Sequence, residues 1–388
     1  MSLTCLASYA LAGLTGAGMV QAAAGWAALA RFQRPRPLPA GPWPAVTVLK
    51  PLHGDEPMLE DALASICAQD YPQFQVVFGV QDHADTALPV LRRLRARFPH
   101  IEMDIVIDRA HHGENRKIGN LINMVGHARH DVLVIGDSDM HVAPDYLRHL
   151  VATLAPKDVG LVTTLYAGLP ATATVTGQLG ASYINHTFLP GAIMARALGR
   201  QDCLGATMAL HRTTLERIGG LPALADHLAD DAVLGRLVRA EGLKVALAPT
   251  VPATTVPETQ VPHLFEHELR WARTVKSVEP TGFVLSAMQH PLFFAALNLG
   301  VSGGAVWTWL LFTATWAWRA AFAHAMDRRL GVDPGFTAWF LPFRDLFSIT
   351  VMIASYRTRR VAWRGRVMLA ARPGLRVQAD LRVRKGMT

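Results

Sequence analysis

The alternation of strand-like and helix-like segments over residues 45–248 most constrains what this chain can fold into. Short apolar runs at 46–49 and 132–135 have the composition of buried strands. Segments with helical spacing of apolar residues, such as 59–68 and 118–128, lie between such runs. This order predicts an α/β fold with a mostly parallel sheet and helices on both faces.

Acidic residues follow two of the predicted strands. Asp82 comes just after the strand at 76–80, and Asp137-Ser138-Asp139 follows the strand at 132–135. Ligands of such sheets bind beyond the carboxyl ends of strands, so a shared nucleotide site is expected there. Asp137 and Asp139 have the spacing to hold Mg²⁺ or Mn²⁺ together with phosphate oxygens. The alternatives are a helix N-cap for Asp82 and an ordinary turn for the triplet.

Three further residues are candidates for chemistry at phosphate or at a hydroxyl group. Asp230 and Asp231 open a predicted helix, where acids also serve as ordinary capping groups. A general base for sugar transfer would be a carboxylate, and Asp231 is the first candidate, with Asp230 close behind. Lys117 precedes the helix at 118–128 and faces either phosphate or solvent.

A predicted helix over residues 261–278 carries the remaining candidates. His263, His267 and Arg270 are spaced to share one face, and Trp271 is four residues after His267. Arg270 is suited to stabilise a departing diphosphate. Trp271 would either line an acceptor site or anchor the helix at a membrane surface, and an ordinary Arg/Trp interfacial helix is the alternative.

Apolar segments flank the predicted α/β domain. Residues 3–30 carry no charge and are long enough to cross roughly 30 Å of hydrocarbon. No Lys or Arg precedes them, which favours a retained anchor over a cleaved signal peptide. Arg31, Arg34 and Arg36 follow directly, and by the positive-inside rule they place the next domain in the cytoplasm.

The C-terminal part is apolar again. Residues 283–326 are long enough for two spans broken near 298–304, and polar residues interrupt 336–356, which predicts a re-entrant or interfacial helix. The Arg-rich tail belongs on the cytoplasmic side of a multi-pass inner-membrane protein. The predicted division is an anchor at 1–31, a Pro-rich linker at 32–44, a cytoplasmic catalytic domain at 45–281, membrane or interfacial helices at 282–356, and a basic tail at 357–388.

Composition supports a membrane-associated protein. Of the 388 residues 51% are hydrophobic and only 18% are charged, with a formal net charge of +8. Much of the basic charge lies beside apolar stretches, which indicates a membrane face rather than nucleic acid. Cys5, Cys67 and Cys203 are scattered, and their spacing indicates neither a disulfide framework nor a zinc site.

A set of short motifs runs in one order along residues 46–290. Its members are Lys50-Pro51-Leu52-His53-Gly54, Gln69-Asp70-Tyr71-Pro72, Gln81-Asp82-His83, Asn115 with Lys117, and Asn120-Leu121, then Asp137, Asp231 and the Arg270-Trp271 pair. As a set they resemble the ceramide glucosyltransferase family of membrane-bound GT-A glycosyltransferases. Segments 120–124, 225–231 and 267–273 are most similar to its bacterial hopanoid-biosynthesis branch. His267 departs from the Gln or Arg that is usual in the family.

The resemblance implies a GT-A domain and a chemical role for each candidate. Members of that branch transfer N-acetylglucosamine from its UDP form to bacteriohopanetetrol, whereas ceramide glucosyltransferases use UDP-glucose and ceramide. The implied roles are uridine binding by Asp82, metal and diphosphate binding by Asp137 and Asp139, proton abstraction by Asp231, and diphosphate and acceptor binding by Arg270 and Trp271. The displacement would invert the anomeric centre.

Two other functions agree with parts of the pattern. A processive polysaccharide synthase shares the order of carboxylates, but it uses Gln where this chain has His267, and the chain offers few spans for a polymer channel. A membrane scaffold that kept a sugar-nucleotide fold would not need carboxylates at every expected position. The expected partners are therefore a UDP-sugar, a lipid acceptor and membrane lipids, without nucleic acid.

Overall fold

The computed structural model describes residues 2–34, 37–39, 41, 43–332, 338–358, 360–363 and 366–369. Arg36, part of the predicted linker and most of the predicted basic tail lie outside the described residues.

A seven-stranded sheet forms the centre of the α/β domain. Its strand order is β3-β2-β1-β4-β8-β6-β9, and every neighbouring pair is parallel except those of β8, which runs antiparallel to β4 and β6. The predicted α/β class and mostly parallel sheet are therefore confirmed. The strands are β1 (Val46–Pro51), β2 (Phe74–Val80), β3 (Glu102–Ile107), β4 (Val132–Gly136), β5 (Met140–His141), β6 (Val159–Thr163), β7 (Ala167–Pro170), β8 (Thr207–His211), β9 (Lys244–Leu247), β10 (Ala253–Val256), β11 (Arg360–Trp363) and β12 (Arg366–Leu369).

Helices cover both faces of this sheet and continue into a separate helical layer. They are α1 (Leu3–Phe32), α2 (Leu59–Cys67), α3 (Leu88–Arg97), α4 (Arg116–Val125), α5 (Tyr146–Leu154), α6 (Val175–Tyr183), α7 (Leu189–Ala197), α8 (Arg212–Arg217), α9 (Asp230–Ala240), α10 (Val261–Val278), α11 (Pro280–Leu285), α12 (Pro291–Val301), α13 (Val306–Leu330) and α14 (Leu341–Ala354). A π-helical turn, Ile184–Phe188, joins α6 to α7.

The core has one layer on each face of the sheet. Alternate side chains of β1 point to opposite faces: Val48 packs with α2, α3 and α5, and Leu49 packs with α4 and α9. All six residues of β1 are buried, as expected of a central parallel strand. The carboxyl ends of β1, β2 and β4 therefore open on the same edge of the sheet.

A small three-stranded sheet connects this edge to helix α10. Its order is β5-β10-β7, with β10 antiparallel to β5 and parallel to β7. Strand β5 begins directly after Asp139, and β10 ends two residues before Glu258. The small sheet therefore carries the chain from the predicted metal triplet to the loop in front of α10.

Helix α1 packs along α12, α13 and α7. Tyr9 stacks on Trp307 near the start of α1, and the indole N–H of Trp318 donates to the carbonyl of Met19 at 3.1 Å. Arg329 donates to the carbonyl of Ala30 at 2.8 Å near the end of α1. Helices α1 and α13 therefore run in the same direction, and α1 is an integral part of the helical layer.

Among the residues that the structure describes, α1 is the one single helix long and apolar enough to cross a membrane. Residues Pro280–Gln289 and Pro291–Val301 pass the same test only together, as a pair bent by 68°. The break predicted near 298–304 falls between α12 and α13, at 302–305. Helix α12 has 11 residues, a rise of about 16 Å, which is shorter than the hydrocarbon layer.

Candidate active site

Lys117 lies at the edge of the sheet where the predicted carboxylates meet. Helix α4 begins at Arg116 because the side chain of Asn115 accepts from the N–H of Ile118 at 3.1 Å. Lys117 is thus in the first turn, and its Nζ lies 2.6 Å from Asp137 Oδ1 and 3.3 Å from the carbonyl oxygen of Gly205. Only 13% of its side chain is exposed, so the solvated-loop alternative is wrong.

The charge of Lys117 faces both groups of predicted acids. Burial by itself lowers the pKa of Lys117, but the carboxylates of Asp137, Asp230 and Asp231 outweigh burial and raise it. Lys117 is therefore a permanent cation at neutral pH. It joins the triplet at the end of β4 to the acids that open α9.

Asp230 and Asp231 lie in the first turn of α9, as predicted. Asp230 Oδ1 accepts from Asn115 Nδ2 at 3.1 Å, and Asp231 Oδ1 accepts from the N–H of Ala232 at 2.7 Å. Burial and the neighbouring Asp230 raise the pKa of Asp231 to about 6, and burial also raises the pKa of Asp230. A Cβ at Gly205 would lie 3.0 Å from Asp231 Oδ2, so a larger residue at this position would press on the carboxylate. A carboxylate with a pKa near neutrality suits a general base.

Asp139 is held by the small sheet. The hydroxyl of Thr254 donates to its Oδ2, and the N–H of Thr255 donates to its carbonyl oxygen at 3.1 Å. Burial and the charge of Asp137 raise the pKa of Asp139 to about 6. Between the two acids, the hydroxyl of Ser138 donates to Glu56 Oε2 at 2.8 Å.

The two carboxylates of the triplet fit a divalent cation that also binds phosphate. Within the described part of the chain, no group of three or more His, Cys, Asp or Glu side chains is arranged to hold a metal ion. Mg²⁺ needs only one or two protein carboxylates when substrate phosphates and waters complete its coordination. A bound cation would offset the repulsion between the carboxylates of Asp137 and Asp139.

Lys50 supports the triplet from beneath, and the sequence assigned it no role. Its side chain is 2% exposed, and its Nζ donates to the carbonyl oxygen of Asp137 at 2.6 Å. Burial lowers the pKa of Lys50 to about 8 against the opposing pull of Asp137 and Asp139. A lysine in a completely buried strand was the sequence signal that could have revealed it.

Asp82 stands apart from the other acids. Its Oδ1 accepts from the N–H of Ala84 at 2.9 Å and from Arg109 at 2.7 Å, and these two hydrogen bonds lower its pKa. Helix α3 has Ala87 as its N-cap, so the capping role for Asp82 is wrong. Strand β1 separates β2 from β4, which puts Asp82 about 10 Å along the edge from the triplet.

Helix α10 has the predicted bounds and carries the candidates His267, Arg270 and Trp271. His267 Nδ1 pairs with Glu258 Oε1 at 2.5 Å, and its ring lies 4.5 Å from that of Trp271. Burial would raise the pKa of Glu258, but His267 and the charge of Arg270 lower it. Glu258 was not among the sequence candidates, because it lies on a loop without a recognisable pattern.

An aromatic cluster connects α10 to the acids. It consists of Tyr166, Tyr183, Phe188 and Trp271, with ring centroids 4.8 Å apart for Tyr166–Phe188 and 6.3 Å apart for Tyr183–Trp271. Burial raises the pKa of Tyr166, and the nearby charges of Asp231 and Asp137 raise it further. The cluster therefore extends from Trp271 to Tyr166, which lies within electrostatic range of Asp231 and Asp137.

A family model described as glycosyl transferase family 21 matches residues 6–376. The chain belongs to this family. Ceramide glucosyltransferase 1 of Caenorhabditis elegans is 22% identical over 264 residues, covering 67% of this chain and 57% of that protein. An N-acetylglucosaminyltransferase of Rhizobium meliloti (strain 1021) is 27% identical over 267 residues, covering 61% of this chain and 57% of that protein. The chain thus spans less than two thirds of the length of these relatives.

The fold is also that of solved glycosyltransferases. A mannosyltransferase from Pyrobaculum calidifontis, solved in complex with GDP-Man and Mn²⁺, superposes with a TM-score of 0.52 at 20% identity. The match covers 92% of this chain and 99% of that chain. It confirms the predicted GT-A fold, and it includes most of the flanking helices.

Proposed function

We propose that this chain is an inverting glycosyltransferase that moves a sugar from a UDP-sugar to a hydroxyl group of a membrane lipid. The observation that carries the proposal is the position of Lys117, which pairs with Asp137 and faces Asp230 and Asp231. One cation thus joins the residues assigned to the diphosphate with those assigned to the acceptor.

The donor would lie along the edge of the sheet. Asp82 would bind the uridine, and Lys117 and Arg270 would balance the charge of the diphosphate. Asp137 and Asp139 would hold Mg²⁺ or Mn²⁺, which when bound neutralises phosphate charge. Lys50 and Thr254 keep this turn in place through the hydrogen bonds of the triplet.

The transfer would proceed by one displacement. Asp231 would accept the proton of the acceptor hydroxyl while that oxygen bonds to the anomeric carbon and the bond from this carbon to the UDP oxygen breaks. The raised pKa of Asp231 matches this role, because the group is ionised at neutral pH yet a competent proton acceptor. Lys117 and Arg270 would stabilise the negative charge that develops on the leaving UDP.

The preferred pair of substrates would be UDP-N-acetylglucosamine and bacteriohopanetetrol. The motifs of segments 120–124, 225–231 and 267–273 support this choice, and the Rhizobium meliloti relative is itself named an N-acetylglucosaminyltransferase. UDP-glucose with ceramide is the second candidate, because ceramide glucosyltransferases of nematodes and fungi also match. The aromatic cluster would hold the reacting end of either lipid.

The proposed site would face the cytoplasm at the inner membrane. Residues 1–31, which include most of α1, would be the membrane anchor, and residues 45–281 would form the catalytic domain. The helices of 282–356 would insert in the bilayer or lie on it. The uncharged length of α1 and the arginines that follow it support this orientation.

Membranes containing the enzyme, labelled UDP-N-acetylglucosamine or UDP-glucose, and bacteriohopanetetrol or ceramide would test the proposal. We expect labelled N-acetylglucosamine on bacteriohopanetetrol, and loss of the product with EDTA. Glucose on ceramide would keep the mechanism and change the substrates. Absence of any lipid product, or formation of long polymers, would contradict the proposal.

A further inference from the structure

Helix α10 presents two faces to different parts of the molecule. His267 and Trp271 lie on one face, where they contact Glu258 and Tyr183. Glu268 follows His267 directly, so it projects about 100° further round the helix. Its side chain is only 4% exposed, and it points into the helical layer.

Glu268 is paired with an arginine from α14. Arg344 donates to both carboxylate oxygens of Glu268, at 2.8 Å to Oε1 and 2.6 Å to Oε2. The side chain of Arg344 is 1% exposed and is among the largest fully buried side chains of the described residues. The two-point contact fixes the direction as well as the distance of the carboxylate.

The same guanidinium also holds α6. Arg344 Nη1 donates to the carbonyl oxygen of Leu179 at 3.1 Å, and the guanidinium lies 5.4 Å from the ring centroid of Tyr183. Burial, with Glu268 nearby, raises the pKa of Tyr183 to about 12. Arg344 therefore contacts both helices that contribute the Tyr183–Trp271 edge of the aromatic cluster.

Stability alone does not account for a buried pair of this kind. Removing two charges from water costs several kcal/mol per ion, and replacing such a pair with apolar residues of similar volume is often neutral or stabilising. A two-point contact between charged groups fixes the relative rotation of the elements that carry them, a directional constraint that apolar side chains do not impose.

We propose that Glu268 and Arg344 are positioning residues that set the rotation of α10 and thereby the gap between Trp271 and Tyr183. The inference rests on the proposed function, in which the reacting end of the acceptor lies against the aromatic cluster. Neither residue contacts Asp137, Lys117 or Asp231 in the described structure, so these residues keep their contacts without the pair, whereas Arg270 shares helix α10 with Glu268.

The paired variant Glu268→Leu/Arg344→Met tests this in the full-length protein. We expect a melting temperature close to wild type. The UDP-sugar Kd should rise less than kcat/KM for the acceptor falls, because Lys117 and Asp137 are unchanged while Arg270 shares α10 with Glu268. The acceptor KM should rise and kcat should fall, so that kcat/KM for the acceptor drops on the order of 10- to 100-fold. The reason is that a small displacement of residues that line a binding site is costly. Arg344→Lys, which keeps the charge and loses the two-point contact, falls between the paired variant and wild type. The matched control is Arg217→Met/Glu241→Leu, an exposed ion pair far from α10, which should change neither constant.

Three outcomes would contradict the inference. The first is a paired variant with wild-type kcat and acceptor KM. The second is a loss of UDP-sugar binding as large as the loss of turnover. The third is unfolding of the paired variant in detergent under conditions in which the exposed control variant stays folded. The last outcome would assign the pair to stability. A wild-type enzyme that transfers no sugar would instead contradict the proposed function.

Discussion

At the scale of single residues, the buried ammonium group of Lys117 interacts with the three carboxylates of Asp137, Asp230 and Asp231. We predict that Lys117→Met lowers turnover by on the order of 100-fold and weakens UDP-sugar binding, because the diphosphate and the acids lose their shared countercharge. Calorimetry with the UDP-sugar and initial rates would measure both effects. Lys244→Met, which removes an exposed lysine paired with Asp158, is the control and should leave both unchanged.

The raised pKa of Asp231 predicts how activity and stability depend on pH. Its pKa is about 6 in the folded protein because of burial and Asp230, against roughly 3.9 for an unfolded aspartate. The base works only when ionised, so kcat/KM should rise with pH through an apparent pKa near 6 that belongs to the coupled Asp230–Asp231 pair. Between about pH 4 and pH 6 the folded state binds more protons than the unfolded state, so this pair lowers stability as pH rises. A profile that is flat from pH 5 to pH 8 would contradict the role of Asp231.

The sequence identified the charged residues of the site but not their supports. Asp137, Asp139, Asp231 and Lys117 were recognisable because each follows a strand or opens a helix in a familiar order. The partners of Lys50 and Glu258 were not recognisable, because these contacts join residues that are 87 and 9 positions apart. Nothing in the local pattern specifies such partners.

At the scale of elements, helix α10 was predicted with its observed bounds, since its polar and apolar faces repeat with helical spacing. Strand β8 is the contrasting case. It lies between β4 and β6 and runs antiparallel to both, and pairing between distant segments leaves no trace in local periodicity. The first four strands were predictable because they follow the regular βαβ order.

The His267–Glu258 contact gives a prediction for α10. The variant His267→Gln has the glutamine that is usual in the family at this position. Its amide N–H can donate to Glu258 in place of the imidazole, so most turnover should remain. His267→Leu leaves a buried carboxylate without its donor, which should cost about 2–5 kcal/mol in stability or transition-state binding. Thermal unfolding and kcat/KM would be compared for both variants. Equal losses in the two would show that the contact with Glu258 is not what His267 supplies.

At the scale of the whole molecule, α1 packs on the catalytic domain as well as on α12 and α13. The apolar segment was predictable from hydropathy, but its contact with α7 was not, because the close approach of Gly25 to Pro190 is a tertiary contact that hydropathy does not encode. A Cβ at Gly25 would lie 2.6 Å from Pro190 Cβ, whereas a Cβ at Gly13 would meet nothing within 4 Å. Helix α1 is thus built into the domain.

This difference predicts opposite effects for two matched substitutions on α1. Gly25→Ala should force α1 away from α7 and lower stability by about 1–3 kcal/mol, with reduced activity in membranes. Gly13→Ala should be neutral or slightly stabilising, as alanine favours helix over glycine. Thermal unfolding in detergent would measure both. If α1 were a passive tether, neither substitution would change the melting temperature.

The most direct test of the account is to compare binding and turnover in Asp231→Asn. We predict that the variant binds the UDP-sugar with a Kd close to wild type, since Lys117, Asp137 and Asp139 remain. Its transfer rate should fall by about 10²- to 10⁴-fold, the range that a positioned general base contributes. Turnover similar to wild type would remove Asp231 as the base, and loss of binding together with turnover would show that Asp231 holds the donor instead.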